Sequence, residues 1–435
     1  MISLAINGGK PLRTTPFPAY NTIGVEEEAA AMRVLRSGKL STYLGTWHGD
    51  FYGGKEVQSL EEEWADYFNV KHAISVNSAT SGLYAAVGAI GIDPGDEVIV
   101  SPYTMSASAT AILIYGGIPV FADIEKDHYC LDVKSIIKNI TSKTKAIMVI
   151  DIFGQSYDSV EINRVAKKYN LKVIEDCAQA PNAKSMDKYA GTLGDIGVYS
   201  LNYHKHIHCG EGGVIVTDND DLAHKLRLIR NHAEAVIGAK GFKDKKDLIN
   251  MVGFNYRMTE MEAGIAREQL KKLPKLFDER VENVSYLNEK FSNIPMLSIP
   301  KVRSGSTHAY YVHALTYDSS KVDNIHRDKF IDAVKAELPR TDLRDDSPVL
   351  LGYGYTKPLY MLPMFQNKIA FGSKGYPFNL SNNAQYNEGI CPIVEDLYHH
   401  KIVTHEFMRP GMSKKDMNDV INAFEKVHEN LRDLI

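Results

Sequence analysis

Lys205 lies in the run Ser200-Leu201-Asn202-Tyr203-His204-Lys205-His206-Ile207-His208-Cys209-Gly210-Glu211-Gly212-Gly213, between the β-rich segments Ile196–Leu201 and Gly213–Thr217. An ammonium held in a partly dry pocket loses proton affinity, and the free amine can then condense with a carbonyl to a Schiff base. Alone, Lys205 would read as a solvated loop residue, one of 50 Lys and Arg. Two other stretches change that weighing. Asp176, in Val173-Ile174-Glu175-Asp176-Cys177-Ala178-Gln179, closes a hydrophobic strand at the end where open α/β sheets bind ligands. Judged locally, it could equally cap a helix. Asn77-Ser78-Ala79-Thr80-Ser81-Gly82 falls where a strand passes into a helix. Backbone N–H groups, the positive end of the helix dipole and three hydroxyls make that junction an anion site, with plain N-capping as the alternative.

Taken together, an anion cradle, a carboxylate and a lysine along one rim are what pyridoxal 5'-phosphate requires for its phosphate, ring nitrogen and aldehyde. The elements that must hold them are legible as alternating strand-like and helical runs. Strands are expected at Ala73–Val76, Glu97–Val100, Val120–Asp123, Ala146–Ile152, Lys172–Glu175, Ile196–Leu201 and Gly213–Thr217. Such alternation specifies an α/β domain with a mostly parallel seven-stranded sheet. Helices are expected at Val25–Leu35, over the Val57, Leu60, Trp64 and Phe68 stripe, and after Thr259. Pro295 and Pro300 mark a boundary, giving a large domain over 1–295 and a smaller α+β domain over 296–435. In the latter a strand is expected at Tyr310–Leu315 and helices at Asp328–Ala336 and Lys414–Leu431. The aromatic stretch 39–55 reads as a lid or subunit contact, and Leu338–Tyr386, rich in Gly, Pro and Tyr, as the frame of a substrate entrance.

Composition narrows the function classes. The chain has 435 residues, 44% of them hydrophobic, and a formal charge of -4, so neither a nucleic acid nor an anionic membrane has electrostatic support as a partner. Its four cysteines are widely spaced, and no apolar run approaches membrane-spanning length, which fits a cytoplasmic protein. His204, His206 and His208 alternate, and an extended backbone would put them on one face, as metal ligands sometimes are. With no Cys or carboxylate at ligand spacing, no metal site is assigned. They read instead as pocket-lining or hydrogen-bonded histidines, or as contacts to an anionic substrate group.

These motifs resemble the DegT/DnrJ/EryC1/StrS family of sugar aminotransferases, which are fold-type-I, pyridoxal-phosphate-dependent enzymes with a three-layer large domain. The resemblance runs from Asn7 to the last helix and is carried by Ser200 with Lys205 and Gly210-Glu211-Gly212-Gly213, by Glu175-Asp176-x-Ala178-Gln179, and by Gly253-Phe254-Asn255-Tyr256-Arg257-Met258-Thr259. It implies that Lys205 forms the cofactor Schiff base and that Asp176 pairs with the pyridine nitrogen. It further implies that Gln179 contacts the ring or its 3'-oxygen and that Ala79, Thr80 and Ser200 hold the phosphate, beside the Ser78 hydroxyl already placed at that junction. Asn255 would reach the phosphate of the partner subunit, making an obligate homodimer with shared sites. Two positions depart from the pattern: Met105 stands where a ring-stacking aromatic is usual, with Tyr103 nearby, and Ala79-Thr80 replaces the usual Ser/Gly-Thr pair. A histidine at 205 would have implied the dehydratase branch. The implied reaction moves an amino group from glutamate or glutamine to a keto-sugar, nucleotide-linked in the first reading. The alternatives are a cyclitol ketone or aminohydroxybenzoate-synthase-like reaction, a lyase or aldolase on the same fold, and a non-enzymatic relative.

Overall fold

The computed structural model describes residues 3–236, 248–340, 349–381 and 384–434. Seven strands form the main sheet: β1 (His72–Val76), β2 (Glu97–Val100), β3 (Ile118–Phe121), β4 (Thr144–Ile150), β5 (Lys172–Asp176), β8 (Ile196–Ser200) and β9 (Gly213–Thr217). A short hairpin, β6 (Lys184–Ser185) and β7 (Lys188–Tyr189), separates β5 from β8. Every main-sheet strand expected from the sequence is present, two with unchanged ends and the rest with ends moved by one or two residues. The order is β1-β9-β8-β5-β4-β2-β3. Only β9 runs against its neighbours, so the carboxyl ends of six strands and the amino end of β9 share one rim.

The strands are rich in apolar residues and mostly buried because both faces are covered. In β9, Ile215 packs toward one layer while Val214 and Val216 pack toward the other. The first layer includes α3 (Ala79–Ala89), α4 (Ala107–Ile114), α5 (Val133–Asn139), α6 (Ser159–Tyr169) and α7 (Asp220–Arg230). The second is built from α2 (Lys55–Phe68) and α8 (Glu260–Phe291). The stripe of Val57, Leu60, Trp64 and Phe68 is wholly buried, the outcome of an amphipathic helix laid on a sheet. Gly82 lets α3 approach the sheet closely, since a Cβ there would lie 2.8 Å from Val198 Cγ1. α1 (Val25–Ser37) packs outside α8.

A second sheet, wholly antiparallel, has the order β10-β11-β13-β12, from β10 (Leu297–Ser298), β11 (His313–Tyr317), β12 (Leu351–Tyr353) and β13 (Ile402–His405). With α9 (Arg327–Ala336) and the closing helix Lys414–Glu429 it encloses a separate core. The strand expected at 310–315 begins three residues later, after Tyr310 adopts a left-handed φ of 47°. α8 is continuous through Pro274 and serves both cores, contributing Ala263, Ala266 and Leu273 to one and Val284, Leu287 and Phe291 to the other. As a working division we propose the two parts 1–295 and 296–435, crossed by packing in both directions. Leu4 of the N-terminal arm enters the second core, and Arg13 pairs with Asp416 and Asp419 at 2.6 and 3.0 Å. In return Leu359, Tyr360, Phe365, Phe378 and Tyr386 join the main-sheet core around Phe121. The stretch 338–386 is therefore mostly folded, and its positions 341–348 and 382–383 lie outside the described residues. No described helix is long and apolar enough to cross a membrane.

Candidate active site

The rim assembles from register. Val76 of β1 and Ser200 of β8 both pair with Gly213 of β9, and Asp176 of β5 pairs with Val198. One line along the sheet therefore carries the start of α3, Gly213, Ser200 and Asp176. The connection from β8 to β9 projects beyond it and carries Lys205.

At the start of α3, Ser78 is the N-cap: its Oγ accepts the Ser81 N–H at 3.1 Å. Ser81 Oγ in turn donates to Asn77 Oδ1 at 2.7 Å. N-capping, weighed as the plain reading of Ser78, is thus present, and it leaves the N–H groups of Ala79 and Thr80 in the first turn, where a helix has no internal acceptor for them. Gly213 completes the cradle by lacking a side chain, since a Cβ there would come within 2.7 Å of Ala79 N and 2.8 Å of the Ser78 carbonyl carbon. Ser200, half-buried, accepts the Asn202 N–H at 3.3 Å.

Asp176 is buried, and no helix follows it, so the capping alternative falls away. Its Oδ2 accepts from Ser108 Oγ at 2.7 Å and its Oδ1 from Ala178 N at 3.2 Å. Burial pushes its carboxyl above the ordinary range, against the opposing pull of Ser108, Ala178 and Lys205. Behind it, Glu175 accepts N–H groups of Gly191, Leu193 and Gly194 at 2.5, 3.0 and 3.3 Å. Burial and Glu175 together push the neighbouring Asp151 well up, so Asp151 holds the proton of this pair.

Lys205 is half-buried, with Nζ 4.3 Å from the centroid of the Tyr311 ring. Desolvation lowers its proton affinity to a pKa of about 8, although Asp176 pulls the other way. A lysine with this value carries a usable fraction of free amine near neutral pH.

The remaining predicted positions are more mixed. Both ends of the Gln179 carboxamide are engaged: Oε1 accepts from Phe153 N at 2.7 Å and Nε2 donates to Tyr355 OH at 3.0 Å. A ring oxygen would therefore compete with Tyr355 for Nε2. Met105 is 58% exposed at the entry to α4, whereas Tyr103 is fully buried, edge-on to Phe153 and Tyr355. Of the two, only Met105 is open to a ligand. Asn255 lies beside the cradle of its own chain, its carbonyl accepting from Asn77 Nδ2 at 3.4 Å and its Oδ1 from Arg257 Nε at 3.0 Å. The alternating histidines do not share a face, because residues 201–212 form turns instead of an extended strand. His206 is buried, with Nε2 2.7 Å from Ala309 O, while His204 is exposed against Tyr203 and His208 is half-buried. Ser108, Tyr311 and Tyr355 were not singled out from the sequence, since each reaches the rim from a distant part of the chain.

This fold and rim define a fold-type-I aminotransferase, and the cradle, buried carboxylate and half-buried lysine fit pyridoxal 5'-phosphate, the cofactor of that class. The chain belongs to the DegT/DnrJ/EryC1/StrS aminotransferase family, whose model matches residues 45–425. It is 33% identical to GDP-perosamine synthase of Vibrio cholerae over 72% of this chain and 80% of that protein. It is 27% identical to L-glutamine:2-deoxy-scyllo-inosose aminotransferase of Streptomyces lividus, with 99% of each chain covered. The X-ray structure of the aminotransferase from Psychrobacter cryohalolentis superposes with a TM-score of 0.79 at 27% identity, covering 97% of this chain and 100% of that one. The protein is accordingly an aminotransferase of a family whose members act in amino-sugar biosynthesis.

Proposed function

We propose that the protein transfers an amino group from glutamate or glutamine to a keto-sugar, nucleotide-linked as the name GDP-perosamine synthase implies for one relative. The observation that carries this reading is the half-buried Lys205, with its proton affinity lowered to about 8, at the rim that also presents Asp176 and the α3 cradle. When bound, pyridoxal 5'-phosphate supplies an electrophilic carbon and a ring that withdraws electrons from the donor's α-carbon. Ala79 and Thr80 N–H groups, with the Ser78 and Ser200 hydroxyls, hold the phosphate. Asp176, kept in place by Ser108, pairs with the ring nitrogen. Met105, exposed at the entry to α4, would offer its thioether to the ring, and Gln179 would be a further residue to hold it. Lys205 Nζ takes the proton from the donor's α-carbon and returns it on the acceptor half of the cycle, so ping-pong kinetics are expected.

We also infer a homodimer in which Asn255 of the partner subunit completes the phosphate site. Four buried, free cysteines support placing the enzyme in a reducing compartment. A second reading, a free cyclitol ketone as acceptor, is favoured by one observation: the scyllo-inosose relative matches end to end, while the perosamine relative matches 72% of the chain. Lys205→Ala decides the core of the proposal. The variant is expected to lose turnover and the cofactor's Schiff-base absorbance together; retention of both removes Lys205 from its role. Amine-dependent conversion of nucleotide keto-sugars set against cyclitol ketones separates the two acceptors.

A further inference from the structure

Among the described residues three methionines are exposed: Met105 at 58%, Met186 at 63% and Met32 at 44%. Met186 lies in the turn between β6 and β7 and Met32 on α1, so Met105 alone of the three belongs to the rim. Its sulfur already has a task. Ser106, the N-cap of α4, makes no side-chain capping bond, and Met105 Sδ takes that place by accepting the Ala107 N–H at 3.4 Å. The Met105 carbonyl accepts from Ser108 N at 3.4 Å, and Ser108 is the residue whose hydroxyl donates to Asp176 at 2.7 Å. One residue thus ties the open side of the site to the start of α4 and to the support of the buried carboxylate. Tyr103 cannot stand in for it, being fully buried and edge-on to Phe153 and Tyr355. The other sulfurs bordering the site, Cys177 and Cys209, are buried thiols whose ionisation is pushed up by that burial, and a thiol kept from ionising reacts slowly with oxidants. The thioether of Met105 is therefore the first sulfur at the rim that an oxidant meets.

We propose that Met105 is an oxidation site through which hydrogen peroxide loosens the cofactor. This rests on the reading that seats pyridoxal 5'-phosphate at the rim with Met105 against its ring. In the step, the O–O bond of hydrogen peroxide breaks, one oxygen bonds to Sδ through a sulfur electron pair, and the other leaves as water. The sulfur is oxidised and the peroxide reduced, and the product is the sulfoxide, which methionine sulfoxide reductases reverse. Geometry decides what the new oxygen does. A sulfoxide oxygen is a stronger acceptor than a thioether sulfur, and it forms beside the Ala107 N–H at the positive end of the α4 dipole, so the oxidised side chain is held at the helix start. The ring then faces a polar, chiral group where a polarizable apolar one stood. A phenyl or phenol ring at this position has no sulfur to oxidise, so the response belongs to the methionine that this chain carries.

The test exposes holoenzyme and cofactor-free enzyme to the same limiting hydrogen peroxide, quenches with catalase, and locates sulfoxides by mass spectrometry of peptides. Met105 and Met186 are expected to oxidise ahead of the buried Met148, Met258 and Met408, and bound cofactor should slow oxidation at Met105 alone. Affinity for pyridoxal 5'-phosphate, read from Schiff-base absorbance, is expected to fall about 2- to 10-fold, the range of a lost sulfur–ring contact, and to return after treatment with the reductases. Met186→Leu should respond like wild type. Met105→Leu, whatever its starting affinity, should keep that affinity through the treatment. Unchanged affinity in enzyme oxidised at Met105, an equal loss in Met105→Leu, or sulfoxide formation at Met105 as fast with cofactor as without overturns the proposal. Failure of the reduced wild type to bind pyridoxal 5'-phosphate is a different result, seen before any oxidation, and takes down the cofactor reading and the proposal with it.

Discussion

Tyr311 gives a sharp test of why Lys205 is basic enough to move a proton yet neutral enough to attack. Two effects oppose each other at this ring. Its bulk keeps water from Nζ, which favours the neutral amine, while its face, 4.3 Å away, favours the ammonium. The fall from 10.5 to about 8, in which desolvation outweighs the opposing pull of Asp176, corresponds to about 3 kcal/mol. At pH 7 the free amine is then about 9% of the population, against about 0.03% for an exposed lysine, a ratio of about 300. Tyr311→Leu keeps the site dry and removes the ring face, worth about 0.5–2 kcal/mol, so the amine's titration should move down by about 0.4 to 1.5 pH. Tyr311→Ala opens a cavity large enough for water, so the titration should move up toward 10.5 and the pH 7 rate should fall at least tenfold. The assay is the initial rate of Schiff-base formation when apoenzyme is mixed with pyridoxal 5'-phosphate, followed by absorbance from pH 6 to 10.5. Shifts of the two variants in the same direction, or a wild-type midpoint above pH 10, would refute the argument.

Gly213→Ala drives a methyl into the backbone at Ala79 and Ser78, so affinity for pyridoxal 5'-phosphate should fall more than tenfold while affinity for pyridoxal, which lacks the phosphate, stays unchanged. Equal losses for both compounds would place the damage elsewhere than the phosphate cradle. If Asn255 acts across subunits, mixing the Lys205→Ala and Asn255→Ala variants should restore about a quarter of the wild-type sites, because half the dimers are hybrids with one intact site each; no recovery after verified exchange speaks against sharing. His308 and His313 stay neutral down to about pH 3 because they are buried, so between 6.5 and 3 the unfolded chain binds more protons than the folded one. Stability should therefore drop on acidification by about 1.4 kcal/mol per pH for each histidine, measured from urea midpoints at pH 7 and 5. His313→Gln should make that dependence shallower, and an unaltered slope contradicts it.

Strands and the α2 stripe were legible because each depends on local pattern: apolar-rich runs of four to seven residues, a 3.6-residue period, and turn signals at the strand ends. Lys205, Asp176 and Ser78 came from the same source, as carriers of chemistry at those ends. What the residues could not disclose were partners fixed only by the fold. Ser108 sits in a small-residue helix whose pattern says core, yet its hydroxyl reaches Asp176 across 68 positions. Tyr311 and Tyr355 come from the C-terminal part, where Gly and Pro break periodicity. The histidine alternation misled because a period of two implies one face only in an extended chain, and residues 201–212 turn instead. Arg280 is buried in a long helix, and nothing in its spacing announces that burial.

The traffic of side chains between the two cores has a consequence for biogenesis. The edge of the main sheet at β2 and β3 is sealed by Leu359, Tyr360, Phe365 and Tyr386, and β1 finds its partner only when β9 exists. A nascent chain halted before Tyr386 would thus carry an unfinished hydrophobic surface around Phe121, prone to clump with its neighbours on a polysome. Cutting this enzyme into its two apparent halves for separate expression should yield an aggregating first half, since its last structural layer is encoded near the end of the message.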